Sequence, residues 1–247
     1  MTKPLSELSD AEYRALKYES YSSIKHLLES PSVYLYYKNS PFKGSDSTLL
    51  GTAVHHYIQS NKHLVAFSVV DKRKKEEYAA FERDFRESAG EEGIIVPASF
   101  EEKITSIMRN FNEHPQATKM IEGCTFETPF IFEYNGVSLK GKADGHKNGA
   151  VIEIKTSSMA QDYESFKREA RNRDYDLQAA LYCHGLHATE HYFIVCGTTA
   201  PYTVNVYKSS AQFLQSGVNK AQIVTERYKR HILKGEIFNE NDNIEEI

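Results

Sequence analysis

GKADGHKNGAVIEIKTS, residues Gly141 to Ser157, is the stretch on which the reading of the fold turns. Its second half, Val151-Ile152-Glu153-Ile154-Lys155, is an apolar run holding one acid and one base. A strand alternates faces with period two, so Val151, Glu153 and Lys155 share one face and Ile152 and Ile154 take the other. Asn148-Gly149 is a strong signal for a two-residue hairpin turn. That turn predicts a register in which Lys147 pairs with Ala150, Asp144 lies opposite Glu153, and Lys142 lies opposite Lys155. Two carboxylates facing each other on one sheet face repel. A divalent cation between them would turn the conflict into a hard, oxygen-lined site. The plainer alternative is a solvated hairpin in which Lys155 pairs with the acids and no metal is involved.

Around this hairpin the patterning switches from helices to strands. Ser20 to Tyr37 reads as two short helices divided by Pro31, and 39–46 as a loop. Ser47 or Thr48 is expected to cap a helix, TLLGTAVHHYIQS, whose apolar residues recur at helical spacing. Helices are expected over Lys74 to Ala89 and Ser99 to Asn112. Strands follow at Thr128 to Tyr134, Val137 to Asp144 and Ala150 to Thr156, the first two joined by a second turn, Asn135-Gly136. Helices at Tyr163 to Arg171 and Asp174 to His187, strands at His191 to Cys196 and Tyr202 to Tyr207, and a helix from Gln212 to Leu233 complete the chain. The order predicts an α+β fold: a central mixed sheet, built from a three-strand meander plus further strands, flanked by helices. No domain boundary stands out in the 247 residues, and the ends, 1–20 and 239–247, are expected to be flexible.

Composition sets the class. Hydrophobic residues make up 40% and charged residues 26%, the balance of a globular protein rather than a disordered one. No apolar run approaches bilayer length. The polar N-terminus has no signal-peptide core. Cys124, Cys183 and Cys196 have no metal-type spacing, so a reducing, intracellular setting is expected. The net charge of −4 counts against a broad nucleic-acid surface but not against a narrow basic channel. Lysine and arginine cluster at Lys72 to Lys75, at Lys167, Arg168, Arg171 and Arg173, and at Lys229 and Arg230.

Phosphodiester cleavage requires a nucleophilic water, neutralisation of the phosphate and help for the leaving oxygen, all of which carboxylate-bound metal can supply. Asp144 and Glu153 are the candidate ligands, with the Ile154 backbone carbonyl between the strand's two functional side chains. Lys155 has donors only, so it would act on the water or on developing charge rather than on metal. Gln178 and Tyr182, four apart on one helix, share a face.

Asp144 followed by Glu153-x-Lys155 resembles the PD-(D/E)xK nuclease core, with Ala143 where the proline of that name would stand. Three further segments resemble the RecE-like phage and prophage exonucleases of that superfamily. Gly51-Thr52-Ala53-Val54-His55 is similar to their helical motif with a metal-site histidine. Tyr175 to Tyr182 is similar to their glutamine–tyrosine helix. Tyr21 to Leu28, followed by Ser30-Pro31, is similar to their N-terminal segment. The resemblance runs in order from about Tyr21 to Tyr207.

It implies a single nuclease domain over 1–247. Asp144, Glu153, Ile154 and His55 would form the metal site, and Lys155, Gln178 and Tyr182 would join the two acids in catalysis. Lys167, Arg168, Arg171 and Arg173 are expected to contact DNA. The cofactor implied is Mg2+, with Mn2+ able to substitute. The activity implied is a deoxyribonuclease that digests linear double-stranded DNA ends from 5′ to 3′ and leaves 3′ tails for recombination by annealing. A homo-oligomeric ring (a tetramer is one form), a single-strand annealing partner, no membrane association and the cytoplasm of a bacterial host cell belong to the same expectation. A structure-specific or single-strand nuclease in repair or defence, an inactive DNA-binding module on the nuclease fold, and a simple Lys155 ion pair remain alternatives.

Overall fold

The computed structural model describes residues 5–40, 44–68, 70, 72–90 and 92–238. The acidic tail, 239–247, lies outside the described residues. The elements run α1 (Asp10–Ala15), β1 (Glu19–Ser20), α2 (Tyr21–Ile24), α3 (Pro31–Asn39), α4 (Asp46–Ile58), β2 (Val65–Ser68), α5 (Lys75–Ala89), β3 (Ile94–Pro97), α6 (Glu101–Asn112) and α7 (Pro115–Ile121). They continue β4 (Thr125–Tyr134), β5 (Val137–Lys147), β6 (Ala150–Ser157), α8 (Tyr163–Asn172), α9 (Tyr175–Gly185), β7 (Glu190–Gly197), β8 (Val204–Lys208) and α10 (Ala211–Arg227).

Local chemistry sets most of these boundaries. Pro31 opens α3 rather than merely interrupting a helix, because its missing N–H costs nothing in the first turn, while Ser30 caps Val33 N–H. Ser45, two residues before the expected Ser47, caps α4 by accepting from Thr48 N–H at 3.2 Å. Asp162 and Ser210 cap α8 and α10 in the same way. The segment before Tyr21, expected to be a flexible end, instead forms α1 behind a Ser9–Glu12 capping box. The Lys140 ammonium donates to the carbonyls of Tyr13, Arg14 and Leu16, which ties α1 to the sheet. The parallel pair β2–β3 and helix α7 were not foreseen, being short and without strong periodicity.

The main sheet has six strands in the order β1-β5-β6-β7-β8, with β4 on the other edge of β5. β4 and β5 form a long antiparallel hairpin through the Asn135-Gly136 turn. The second hairpin keeps its predicted start: Lys147 pairs with Ala150, then His146 with Val151 and Gly145 with Ile152. There the ladder ends. Further along the same edge, β5 takes β1 in parallel at Leu139 and Lys140. β5 and β6 therefore fork after Gly145. The expected pairing of Lys142 with Lys155 does not form; Lys142 pairs with Pro129 across the other edge.

Ile152, Ile154, Ile194 and Cys196 pack against α4 and α6 on one face. Val151, with Leu177 and Leu181 of α9 and Val224 of α10, fills the other. The face assignment of Val151 against Ile152 and Ile154 is thus as expected. α10 presses on α9 so closely that a Cβ on Gly217 would lie 1.9 Å from the Asp176 carbonyl oxygen. The buried Asp176 carboxylate accepts from Ser216 and Lys220 of α10, which fixes the register of the two helices.

Two predictions follow from this packing. Gly217→Ala should cost about 1–3 kcal/mol through overpacking and lower the thermal midpoint, because backbone rather than a flexible side chain blocks the new methyl. The second concerns His191, fully buried on β7 and pushed down to about 3 by burial, with Lys155 adding to the shift. The unfolded chain protonates it near pH 6.5, so between about 6.5 and about 3 acid favours unfolding. The thermal midpoint should fall as pH drops through that window, and His191→Gln should flatten the decline.

Candidate active site

The fork creates the site. With no strand partner for Ile154 on that side, the Asp144 carboxylate takes its place and accepts from Ile154 N–H at 2.8 Å. Ile154 thus meets the site through its N–H. The other acid turns elsewhere. Lys155 Nζ donates to Glu153 Oε2 at 2.8 Å and to Gln178 Oε1 at 3.0 Å. Gln178 Nε2 closes the triangle on Glu153 Oε2 at 2.7 Å. Asp144 N–H lies 3.5 Å from Glu153 Oε1 and the two carboxylates are held by different groups, so the expected repulsion is offset by partners without being removed.

His55 reaches the fork from α4, its Nδ1 3.5 Å from Asp144 Oδ1. α4 lies close against β6 one turn earlier, where a Cβ on Gly51 would stand 3.0 Å from Thr156 Oγ1. His55 rather than His56 thus faces Asp144. Burial disfavours the Asp144 carboxylate, yet His55 beside it, helped by Lys155 and the Ile154 N–H, holds it below the usual range. Burial also disfavours the His55 imidazolium, but Asp144 outweighs this and raises it. Glu153 is pushed up to about 7 by burial and by Asp144. Lys155 moves upward: burial opposes its charge, and Glu153 and Asp144 overcome that.

Tyr182, one turn beyond Gln178, is buried against Phe130 at 5.2 Å between ring centroids. It borders a cavity shared with Arg14, Ser20 and Lys140, and its hydroxyl is hydrogen-bonded to the Gln178 side chain of the triangle. The four basic residues of the expected DNA contact separate. Lys167 and Arg171 line a cavity of about 350 Å³ with Tyr163, Phe166 and Phe213, apart from the groove that holds His55. Lys167 pairs with Glu164, Arg168 donates to Ser165 Oγ, and Arg173 pairs with Glu169.

Three side chains at the site were missed. Tyr175 presents its ring 5.0 Å from Lys155 Nζ. Tyr21 donates to the Arg173 carbonyl at 2.5 Å. Glu127 lies opposite Asp144 in the β4–β5 hairpin, between the paired Phe126↔Gly145 and Thr128↔Ala143. A signal for Glu127 was available: counting back from the Asn135-Gly136 turn, which sets Tyr134 against Val137, puts 127 against 144. The His55, Glu127 and Asp144 ligand atoms lie within 4.8 Å of one another. One imidazole and two carboxylates suit a divalent cation, so the residues fit the metal that the motif implies. His55 and Glu127 line a groove of about 950 Å³ bordered also by Tyr13, Arg14, Thr52 and Lys142.

Fork, carboxylates and lysine define a PD-(D/E)xK-type nuclease core. The chain belongs to a family described as a PDDEXK-like domain of unknown function, whose model matches residues 20–242. A crystal structure from Eubacterium rectale, described as a candidate exonuclease, shares the fold at a TM-score of 0.65 and 16% identity, covering 94% of this chain and 88% of that one. A phage-related exonuclease from Haemophilus somnus is more distant, at a TM-score of 0.36 and 12% identity over 75% of this chain and 95% of that one. No curated protein matches the sequence. No described helix is long and apolar enough to cross a membrane.

The triangle yields a stability prediction. Glu153 is 2% and Lys155 16% exposed at the side chain, so Lys155→Ala strands a buried carboxylate. Breaking such a pair costs on the order of 3 kcal/mol. The thermal midpoint should fall at pH 8 and recover towards pH 5, where Glu153 takes up a proton.

Proposed function

We propose that the protein is a magnesium-dependent DNA exonuclease. The observation that carries this reading is the forked strand pair, which sets Asp144 and His55 on one side and the Glu153–Lys155–Gln178 triangle on the other. His55, Asp144 and Glu153 would hold the cation, with Mn2+ able to replace Mg2+. The bound cation would neutralise the scissile phosphate and lower the pKa of a water. Lys155 cannot ligate while protonated, and its raised pKa keeps it protonated. Its ammonium is free to hold the water or to stabilise charge developing on the phosphate. Gln178 fixes the Lys155 amine by accepting from it, and Tyr175 walls its other side. Tyr182 would hold Gln178 in place through their side-chain hydrogen bond. Lys167, Arg168, Arg171 and Arg173 would contact DNA.

The likeness to RecE-like exonucleases supports linear double-stranded DNA ends as substrate, 5′ to 3′ polarity and 3′ single-stranded products. A ring-shaped homo-oligomer would reconcile the net charge of −4 with DNA binding, because only the lumen must be basic. An annealing protein as partner and the bacterial cytoplasm as location complete the proposal.

End-labelled linear duplex, with and without a 5′ phosphate, beside a nicked circle, tests it. Mg2+-dependent loss of label from the linear duplex, with the circle spared, is expected. Asp144→Asn should abolish it. Lys155→Ala should lower the single-turnover rate per folded molecule by about 100- to 1000-fold while leaving cation affinity largely unchanged. A folded wild-type protein that cleaves none of these DNAs with Mg2+ or Mn2+ overturns the assignment, and a Lys155→Ala variant as fast as wild type removes Lys155 from the chemistry.

A further inference from the structure

We infer that Glu127, outside the D…ExK motif, is a direct ligand of the cation, supplied from β4 to complete a site that Asp144 and His55 begin. The inference rests on the metal-dependent reading above and adds a residue to it. Asp144, His55 and a single oxygen of Glu153 leave a divalent ion short of the roughly six ligands it takes. Glu153, the motif's second acid, has Oε2 occupied by both Lys155 and Gln178. Glu127 is the carboxylate that shares the His55–Asp144 cluster.

Its position is built rather than accidental. Glu127 has a φ of 48°, a left-handed backbone that is uncommon for residues other than glycine, asparagine and aspartate. The consequence is visible along both strands of the hairpin. Phe130 and Ala143 belong to the core beneath α9. Phe126 lies beside Ile58 and Ile121 on the α4 side, and a Cβ on Gly145 would meet Ile152 and Cys124 there. Phe126 and Phe130 are an even number of residues apart, as are Ala143 and Gly145, so a regular strand would keep each pair on one face. The alternation slips at Glu127 and Asp144 together. That slip brings both carboxylates into the opening beneath His55.

The carboxylate is steadied by Gln59 Nε2 on Oε1 at 2.9 Å and by Lys142 Nζ on Oε2 at 2.6 Å. An ionised carboxylate offers about four acceptor positions, so these contacts leave lone pairs for an ion. Lys142 also balances the charge of Glu127 while no cation is bound. A carboxylate 39% exposed at the side chain is open to an ion arriving from the groove.

Mn2+ binding by calorimetry and thermal unfolding without metal, measured on the same preparations, test the inference. Glu127→Asn and Glu127→Gly both suit the left-handed backbone, so either should fold. Both should keep or raise the metal-free thermal midpoint while weakening Mn2+ binding at least about ten-fold, the lower end of what even outer-shell partners contribute. Wild-type Mn2+ affinity in both variants overturns the inference and leaves the nuclease reading standing. Lower metal-free midpoints with unchanged affinity overturn it too, by showing a structural partner of Lys142 and Gln59. No Mn2+ binding by the wild-type protein overturns the metal centre itself.

Discussion

The structure depends on one separation: β5 leaves β6 after Gly145. A continued ladder would have spent the Ile154 N–H on a strand partner and left no opening between Asp144 and Glu153. Once the strands part, a polar backbone group at the sheet centre needs a substitute partner. The Asp144 side chain provides it. The same parting lets β1 dock on the vacated edge of β5 and brings the Tyr21 segment towards Lys155. Separation, Asp144 placement and N-terminal docking are thus consequences of one event.

Electrostatics at the fork come from division of labour between two acids. Asp144 keeps its charge because His55 and a backbone N–H face it. Glu153, more enclosed and close to Asp144, is pushed up to about 7 and stays in place through Lys155 and Gln178. Two neighbouring carboxylates driven in opposite directions is the pattern expected where protons are managed. The rest of the fold holds these partners at fixed distance. α4 approaches on Gly51 to deliver His55, and α10 clamps α9 through Asp176 and Gly217 to deliver Gln178.

The basic residues show how a cluster in sequence spreads out in space. Lys167, Arg168, Arg171 and Arg173 are neighbours in sequence, yet two of them border a cavity apart from the His55 groove, Lys167 and Arg173 are matched with acids on their own helix or its end, and Arg168 donates to Ser165. Residues up to six apart on a helix necessarily point in several directions. By contrast Arg14 and Lys142, distant in sequence, meet at the groove.

Local chemistry alone made much of this protein legible. The Asn148-Gly149 and Asn135-Gly136 turns set both hairpin registers, period-two alternation assigned Glu153 and Lys155 to one face, and their four-residue spacing put Gln178 and Tyr182 on one side of α9. These are short-range properties, decided within a turn or two of chain. The end of the β5–β6 ladder, the approach of His55, the phase slip at Glu127 and the capture of Glu153 by Gln178 were decided only by tertiary structure. Each depends on groups 9 to 120 residues apart meeting in space, and nothing in the residues themselves says that a strand will leave its partner after three pairs. A backbone breaks its ladder where docking of β1 and the side chain of Asp144 together satisfy it better, and that comparison exists only once the whole sheet has assembled.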